Sequence, residues 1–408
     1  MEEAPPRAER RSRWMVTALT VWAVLIVGVC VRGLVQPQAH NCYLEYYEQA
    51  GRNWFEGREL YQIVGGTCRY SPLVNAFFAP LSLTPLAVGS LLWRLVNAGA
   101  FLGALLWWMR ACAPTTWSPT LRAVLLLAVI PLSVGNINSG QANPLLLGLL
   151  LATTAAAASE RWNLAAAFCA GACLLKLYPV ALALLLMGAY PRRFAPRFLL
   201  ALAAGLLLPF VLQHPDYVAR QYSNWWANLL TDDRTQGSLV DLAYRDLWLL
   251  IRNMHLPISH SVYVFIQLAS AGLIGATCLA GRWLSGWKPA ETANAAFHLG
   301  VCWMTLCGPA TEAATYMLVA PTLAWAVLQS WHRSCSVWTQ GLLLASAAVF
   351  WAALLGCLSS HTAVWTACGF HPLGALLLFI ALGAEYVGRL SAPEPVVHEE
   401  RASRAKAA

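Results

Sequence analysis

Residues 7–35 read RAERRSRWMVTALTVWAVLIVGVCVRGLV. From Trp14 to Val35 the stretch is apolar except for Arg32 and two threonines, and about 20 such residues cross the roughly 30 Å of bilayer hydrocarbon. It is too long for a signal-peptide core and no small-residue cleavage site follows it, so it reads as a retained anchor. Arg7, Arg10, Arg11 and Arg13 stand immediately before it and set the N-terminus in the cytoplasm, because short cytoplasmic segments carry the arginines and lysines of a membrane protein.

The rest of the 408 residues repeat this character. The chain is 58% hydrophobic and 11% charged, where an ordinary soluble domain carries about 25% charged residues. That excludes a soluble globular protein, and equally a disordered one, which needs little hydrophobicity and much charge. Nineteen tryptophans suit the headgroup region of a bilayer. The formal charge of +8 raises nucleic acid as a partner, but only three of the 27 basic residues are lysine and most lie in short gaps between apolar runs. Membrane orientation is the better reading, with no nucleic acid involved.

Further apolar runs fall near 86–109, 120–135, 142–158, 162–176, 178–190, 196–212, 260–281, 292–308, 314–331, 339–357 and 371–388. The expected fold is all-α: a polytopic bundle of about twelve spans with two long extracytoplasmic loops, 36–85 and 213–259. Arg110, Arg122, Arg161, Arg192, Arg193, Arg197, Arg282, Lys288, Arg333 and Arg389 then share the cytoplasmic gaps, an even span count that leaves both termini inside. Residues 1–13 form a basic N-terminus, 14–389 one multi-pass domain, and 390–408 a tail that reads as disordered.

Carboxylates gather on the two loops. All five Asp lie on the second, and Glu45, Glu48, Glu56 and Glu59 on the first. Tyr43, Tyr47, Ala50 and Trp54 recur at helical spacing, predicting a surface helix that stops at Gly57. Lys176 interrupts the apolar stretch GACLLKLYPVALALLL just before Tyr178 and Pro179. An ammonium there needs a polar partner or the interface, and Pro179 predicts a tight turn that holds it at the outer surface. Simple snorkelling to a headgroup reads equally well. Polar islands follow at GNINSGQANP, with Gln141 and Asn143, and at GPATEAATY, with Glu312 and Tyr316. Such groups bind sugar hydroxyls or merely cap helices. Arg94 and His298 read as structural. Cys42 with Cys68, or Cys357 with Cys368, could pair on an oxidising face. No zinc-ligand spacing, Walker loop or dinucleotide motif occurs, so no metal or cofactor is implied.

Taken together, YYEQAGRNWFEGRELY (46–61), RYSPLVNAFFAPLSLTP (69–85), LLWRLVN (91–97), SGQANPLLLGLL (139–150), LLKLYPVALALLL (174–186) with Arg192 and Arg193, TQGSLVDLAYR (235–245) and GPATEAATY resemble glycosyltransferase family 87 of the GT-C superfamily, over about residues 40–390. The resemblance implies an inverting transferase on the extracytoplasmic face of the plasma (inner) membrane. A polyprenyl-phosphate sugar, typically mannose, would be the donor, with a lipid or glycan acceptor. A first-loop Asp would be the base, near 41–43, where this chain has Asn41, Cys42 and Tyr43. Glu45 is the nearest substitute and Glu48 the second. Lys176 and Arg69, with Arg234 or Arg245, are the candidates for the phosphate, and Gln141, Asn143, Tyr178, Glu312 and Tyr316 for other substrate contacts. A lipid-linked sugar transporter or flippase, or a member that has lost catalysis, stays open beside this reading.

Overall fold

The computed structural model describes residues 7–61, 69–231, 244–308, 311–333, 335–357, 365 and 367–390. Among them every regular element is helical. Six helices are long and apolar enough to cross a membrane: Arg13–Val35 within α1 (Arg7–Val35), α4 (Leu86–Cys112), α10 (Ala195–Leu212), α13 (His260–Trp283), α16 (Val337–Cys357) and α17 (Phe370–Leu390). The pair α5 (Pro119–Ala128) and α6 (Ile130–Ser139), bent by 48°, makes a seventh if it is one broken span. The chain is a multi-pass membrane protein, with fewer long spans than the twelve apolar runs of the sequence. Several runs form helices too short to cross alone at 1.5 Å per residue: α7 (Asn143–Ala158), α8 (Trp162–Leu175) and α9 (Val180–Ala189).

Of the short helices, α7 is held inside the bundle. α7 is apolar all round and almost wholly buried, as expected of a helix with neighbours on every side. It lies along α4, α8 and α14 (Pro289–Cys307). A Cβ at Gly148 of α7 would meet the Ala100 carbonyl of α4 at 3.0 Å, so glycine sets the approach of the two backbones.

Both long loops carry helices among their described residues. In the first, a π-helical turn Tyr43–Glu48 runs into α2 (Gln49–Glu56), which ends on Gly57 at φ +70°. Tyr43, Tyr47, Ala50 and Trp54 form its buried side, the face that the spacing predicts. That face packs on the bundle rather than on lipid. The Tyr47 ring stacks on Phe78 of α3 (Pro72–Ser82) at 4.4 Å, and meets Trp93 of α4 at 5.5 Å. The second loop carries α11 (Pro215–Thr231) and α12 (Leu247–Asn253). α11 closes over the first loop: Gln221 and Asn224 donate to Glu59 Oε2 at 3.0 and 2.8 Å, and Trp225 Nε1 donates to the Arg69 carbonyl at 2.9 Å. The loops therefore share one end of the bundle, hereafter the loop end. Cys42 and Cys368 are free thiols, so neither anticipated disulfide is present. Cys68, Arg234 and the C-terminal tail lie outside the described residues.

α2 seats on α3 through Gly51, where a Cβ would stand 2.6 Å from the Phe78 carbonyl oxygen. Gly51→Leu is expected to cost about 1–3 kcal/mol by overpacking, read as a lower thermal midpoint in detergent. Gly103→Leu, on α4 with open space around it, is the control. Equal midpoints for the two variants would contradict this packing.

Candidate functional site

The floor of the loop end is the segment Asn136–Asn143. α6 ends at Ser139, Gly140 takes φ +72°, and α7 begins at Asn143 with Pro144 in its first turn. Glycine suits this left-handed turn, since other residues strain there. α4 holds the segment from beneath. Trp93 Nε1 donates to the Gly140 carbonyl at 2.7 Å, and Asn97 donates to the Gln141 carbonyl while accepting from Leu145 N–H. Arg94 is 2% exposed and forks across the same corner, from Nε to the Asn138 carbonyl at 3.2 Å and from its terminal nitrogens to Ser90 and to Asn41 Oδ1. Arg32 adds a bond to Asn138 Oδ1 at 2.6 Å. Arg94 thus makes structural contacts, as the sequence suggests, yet it is the strut of the polar floor. Its signal was an arginine inside an apolar run, costly to bury without partners.

Lys176 closes one side. α8 stops at Leu175, Lys176 is extended, and α9 restarts at Val180 after Pro179, the turn that Pro179 predicts. The ammonium does not snorkel to a headgroup. Nζ donates to Asn143 Oδ1 at 2.9 Å, Asn143 donates to Asn136 Oδ1 at 2.9 Å, and Asn136 donates to the Ala314 carbonyl at 3.1 Å. This relay joins the two polar islands of the sequence. Nζ also lies 5.8 Å from the centre of the Tyr178 ring, whose buried hydroxyl has no hydrogen-bond partner among the described residues.

Glu312 stands at the head of the 3₁₀ turn Ala313–Val319 and is exposed. It lies within electrostatic reach of Lys176, Tyr178 and Cys42. Cys42 comes from the first loop, 7% exposed, against Ser139 and within reach of Glu45. Burial first, and then Glu45 and Glu312, push its thiol up to about 11, so it is neutral at pH 7. Arg69 reaches Lys176 electrostatically and lies 5.8 Å over the Tyr244 ring of the second loop. Lys176 therefore has Asn143, Tyr178, Cys42, Arg69 and Glu312 around it, Glu45 lies within reach of Cys42, and Gln141 is half-buried in the floor.

The four first-loop carboxylates differ. Glu48 pairs with Arg52 at 3.0 Å, Glu56 with Arg58 at 2.9 Å, and Glu59 accepts from Gln221 and Asn224. Among the described residues Glu45 is exposed and its carboxylate has no hydrogen bond or ion pair. Asn41, near where the family pattern expects Asp, is fully buried on Arg94 and Ser90. Tyr316 and Arg245 tie the second loop down: the Tyr316 hydroxyl donates to the Arg245 carbonyl at 2.5 Å and approaches the Thr305 carbonyl at 3.1 Å, while Arg245 N–H donates to the Thr311 carbonyl at 2.8 Å. Among the described residues no three His, Cys, Asp or Glu side chains gather as metal ligands.

The family model for glycosyltransferase family 87 matches residues 69–309, more than half of the chain. The chain belongs to glycosyltransferase family 87. No curated protein and no solved structure matches it. Membership makes it a glycosyltransferase, with a sugar donor and an acceptor met in a membrane. The stretch matched to family 87 contains Arg69, the Asn136–Asn143 floor and Lys176. It begins after Glu45 and ends before Glu312.

Beside Arg245, Asp246 caps α12 by accepting from Leu249 N–H at 3.1 Å. It lies off the membrane-crossing helices, and burial raises its carboxyl from 3.8 to about 6. An acid with a raised pKa favours the fold while protonated. That stability is full below about pH 4 and is lost as the pH rises to about 6. Asp246→Asn keeps a capping oxygen and removes the titration. The variant is expected to show a flatter melting profile between pH 4 and 6, and to exceed wild type above it by on the order of 2 kcal/mol. Parallel profiles would contradict this.

Proposed function

We propose that this glycosyltransferase moves a hexose, mannose, from a polyprenyl-phosphate sugar to a lipid or glycan acceptor. The reaction takes place at the loop end, on the extracytoplasmic face of the plasma (inner) membrane, with both termini cytoplasmic. The observation that carries the reading is the Lys176 ammonium, held by Asn143 Oδ1 at 2.9 Å at the loop end, with an exposed and uncommitted carboxylate, Glu45, on the first loop within electrostatic reach of Cys42.

Glu45 takes the proton of the acceptor hydroxyl. That oxygen attacks the anomeric carbon as the bond from carbon to the phosphate oxygen breaks, inverting the centre. The lipid phosphate departs with the electron pair and its growing charge falls on Lys176 and Arg69. The catalytic effects required are positioning, one general base and electrostatic stabilisation. Arg245 and Arg234 of the second loop add positive charge, Gln141 and Glu312 offer groups to sugar hydroxyls, and Asn143, bonded on both sides, orients Lys176. Tyr316, with its proton given to a backbone carbonyl, shapes the wall. Glu48 is the weaker candidate base because Arg52 already holds its carboxylate.

In liposomes supplied with polyprenyl-phosphomannose, Glu45→Gln is expected to lower kcat by about 10²–10⁴, and Lys176→Ala by about 10²–10³. Cys42→Ser should stay within about threefold of wild type, because a neutral thiol is no base. Full activity in both Glu45→Gln and Lys176→Ala would remove these roles. Wild type that transfers from no lipid-phosphate sugar would overturn the reading, in favour of a lipid-linked sugar carrier or a member without catalysis.

A further inference from the structure

Between α9, α13 and α14 lies an apolar slot of about 270 Å³. Val180, Leu184 and Gly188 of α9 form one wall, Gly275 of α13 the second, and Gly300 and Trp303 of α14 the third. Each wall contributes a glycine where a larger residue would close the slot. Val180 and Leu184 are 45% and 60% exposed, so it opens sideways toward the membrane. From Val180 to Gly188 the wall runs about 12 Å along the bundle at 1.5 Å per residue.

Its position singles out its occupant. α9 begins two residues after Tyr178 and four after Lys176, so the slot continues inward from the turn that carries them. Tyr178 is 7% exposed and, among the described residues, its hydroxyl has no hydrogen-bond partner, an uncompensated donor of the kind that costs free energy when buried. A phosphate oxygen supplies the acceptor it lacks and a counter-charge for the ammonium beside it.

We infer that this slot holds the first isoprene units of the donor's polyprenyl chain, with the chain's phosphate on Lys176 and Tyr178. The inference rests on the proposed donor class and adds where its lipid lies. Burial in the slot, at about 0.8 kcal/mol per methylene, aligns the donor along α9 and delivers its sugar to the loop end.

Binding can be tested apart from transfer. Purified protein in nanodiscs is titrated with sugar-free decaprenyl phosphate, and the bound lipid is counted by native mass spectrometry. A Cβ at Gly275 meets nothing within 4 Å, so Gly275→Leu fills the slot without disturbing the fold. It is expected to weaken binding about tenfold or more. Gly341→Leu, on α16 with equally open surroundings, should leave binding unchanged, and Tyr178→Phe should weaken it. Binding by Gly275→Leu equal to that by Gly341→Leu overturns the slot, whatever the transfer assay gives. Equal displacement by dioleoyl phosphatidic acid overturns it in favour of a general lipid site. Decaprenyl phosphate that binds as expected while no sugar is transferred supports the slot and counts against the transfer reading alone.

Discussion

The loop end depends on how an apolar bundle tolerates a lysine. An ammonium removed from water is expensive unless it is bonded. Lys176 meets that demand with a neutral partner, Asn143, which is itself oriented by Asn136, which in turn holds the Ala314 carbonyl. Because each amide in the relay has a partner on both sides, the ammonium is fixed in direction without a carboxylate neutralising it at contact distance. Its charge stays available to a ligand. The Ala314 bond also holds the 3₁₀ turn that bears Glu312, so the ammonium and that carboxylate come to the site on one scaffold.

A second cation plays the opposite part. Arg94 spends its donors on Asn41, Ser90 and the Asn138 carbonyl, which leaves it no free direction toward a ligand. It fixes the floor that the Lys176 relay stands on. Arg94 and Lys176 thus divide into a strut and a candidate ligand contact. The division follows from geometry: a fork of five donors saturates a corner, whereas a single ammonium on a short turn does not.

Much of this was legible in the sequence. The opening anchor, the buried side of the Tyr43–Trp54 helix, its stop at Gly57 and the turn at Pro179 follow from hydropathy, spacing and backbone preference, which act locally. The span count was not legible, because α7, α8 and α9 are apolar but short, and hydropathy does not distinguish a crossing from a helix enclosed by neighbours. The partners of Lys176 and Arg94 were hidden for another reason. Asn143 is 33 residues from Lys176 and Asn138 is 44 from Arg94, and such pairings are set by packing. In the sequence only the resemblance to the family ranks Glu45 first among the four first-loop glutamates, with Glu48 second. Only the partners of Glu48, Glu56 and Glu59 leave Glu45 as the open carboxylate.

The account stands on the first loop and the Glu312 turn meeting at one face. The direct measurement is a thiol cross-link between Glu45→Cys and Glu312→Cys in membranes, in a background where Cys357 and Cys368 are serine. A short bis-maleimide should join the two positions, and added polyprenyl-phosphomannose should slow the reaction. Labelling of one position only from outside and of the other only from inside, with no cross-link, would contradict the shared site.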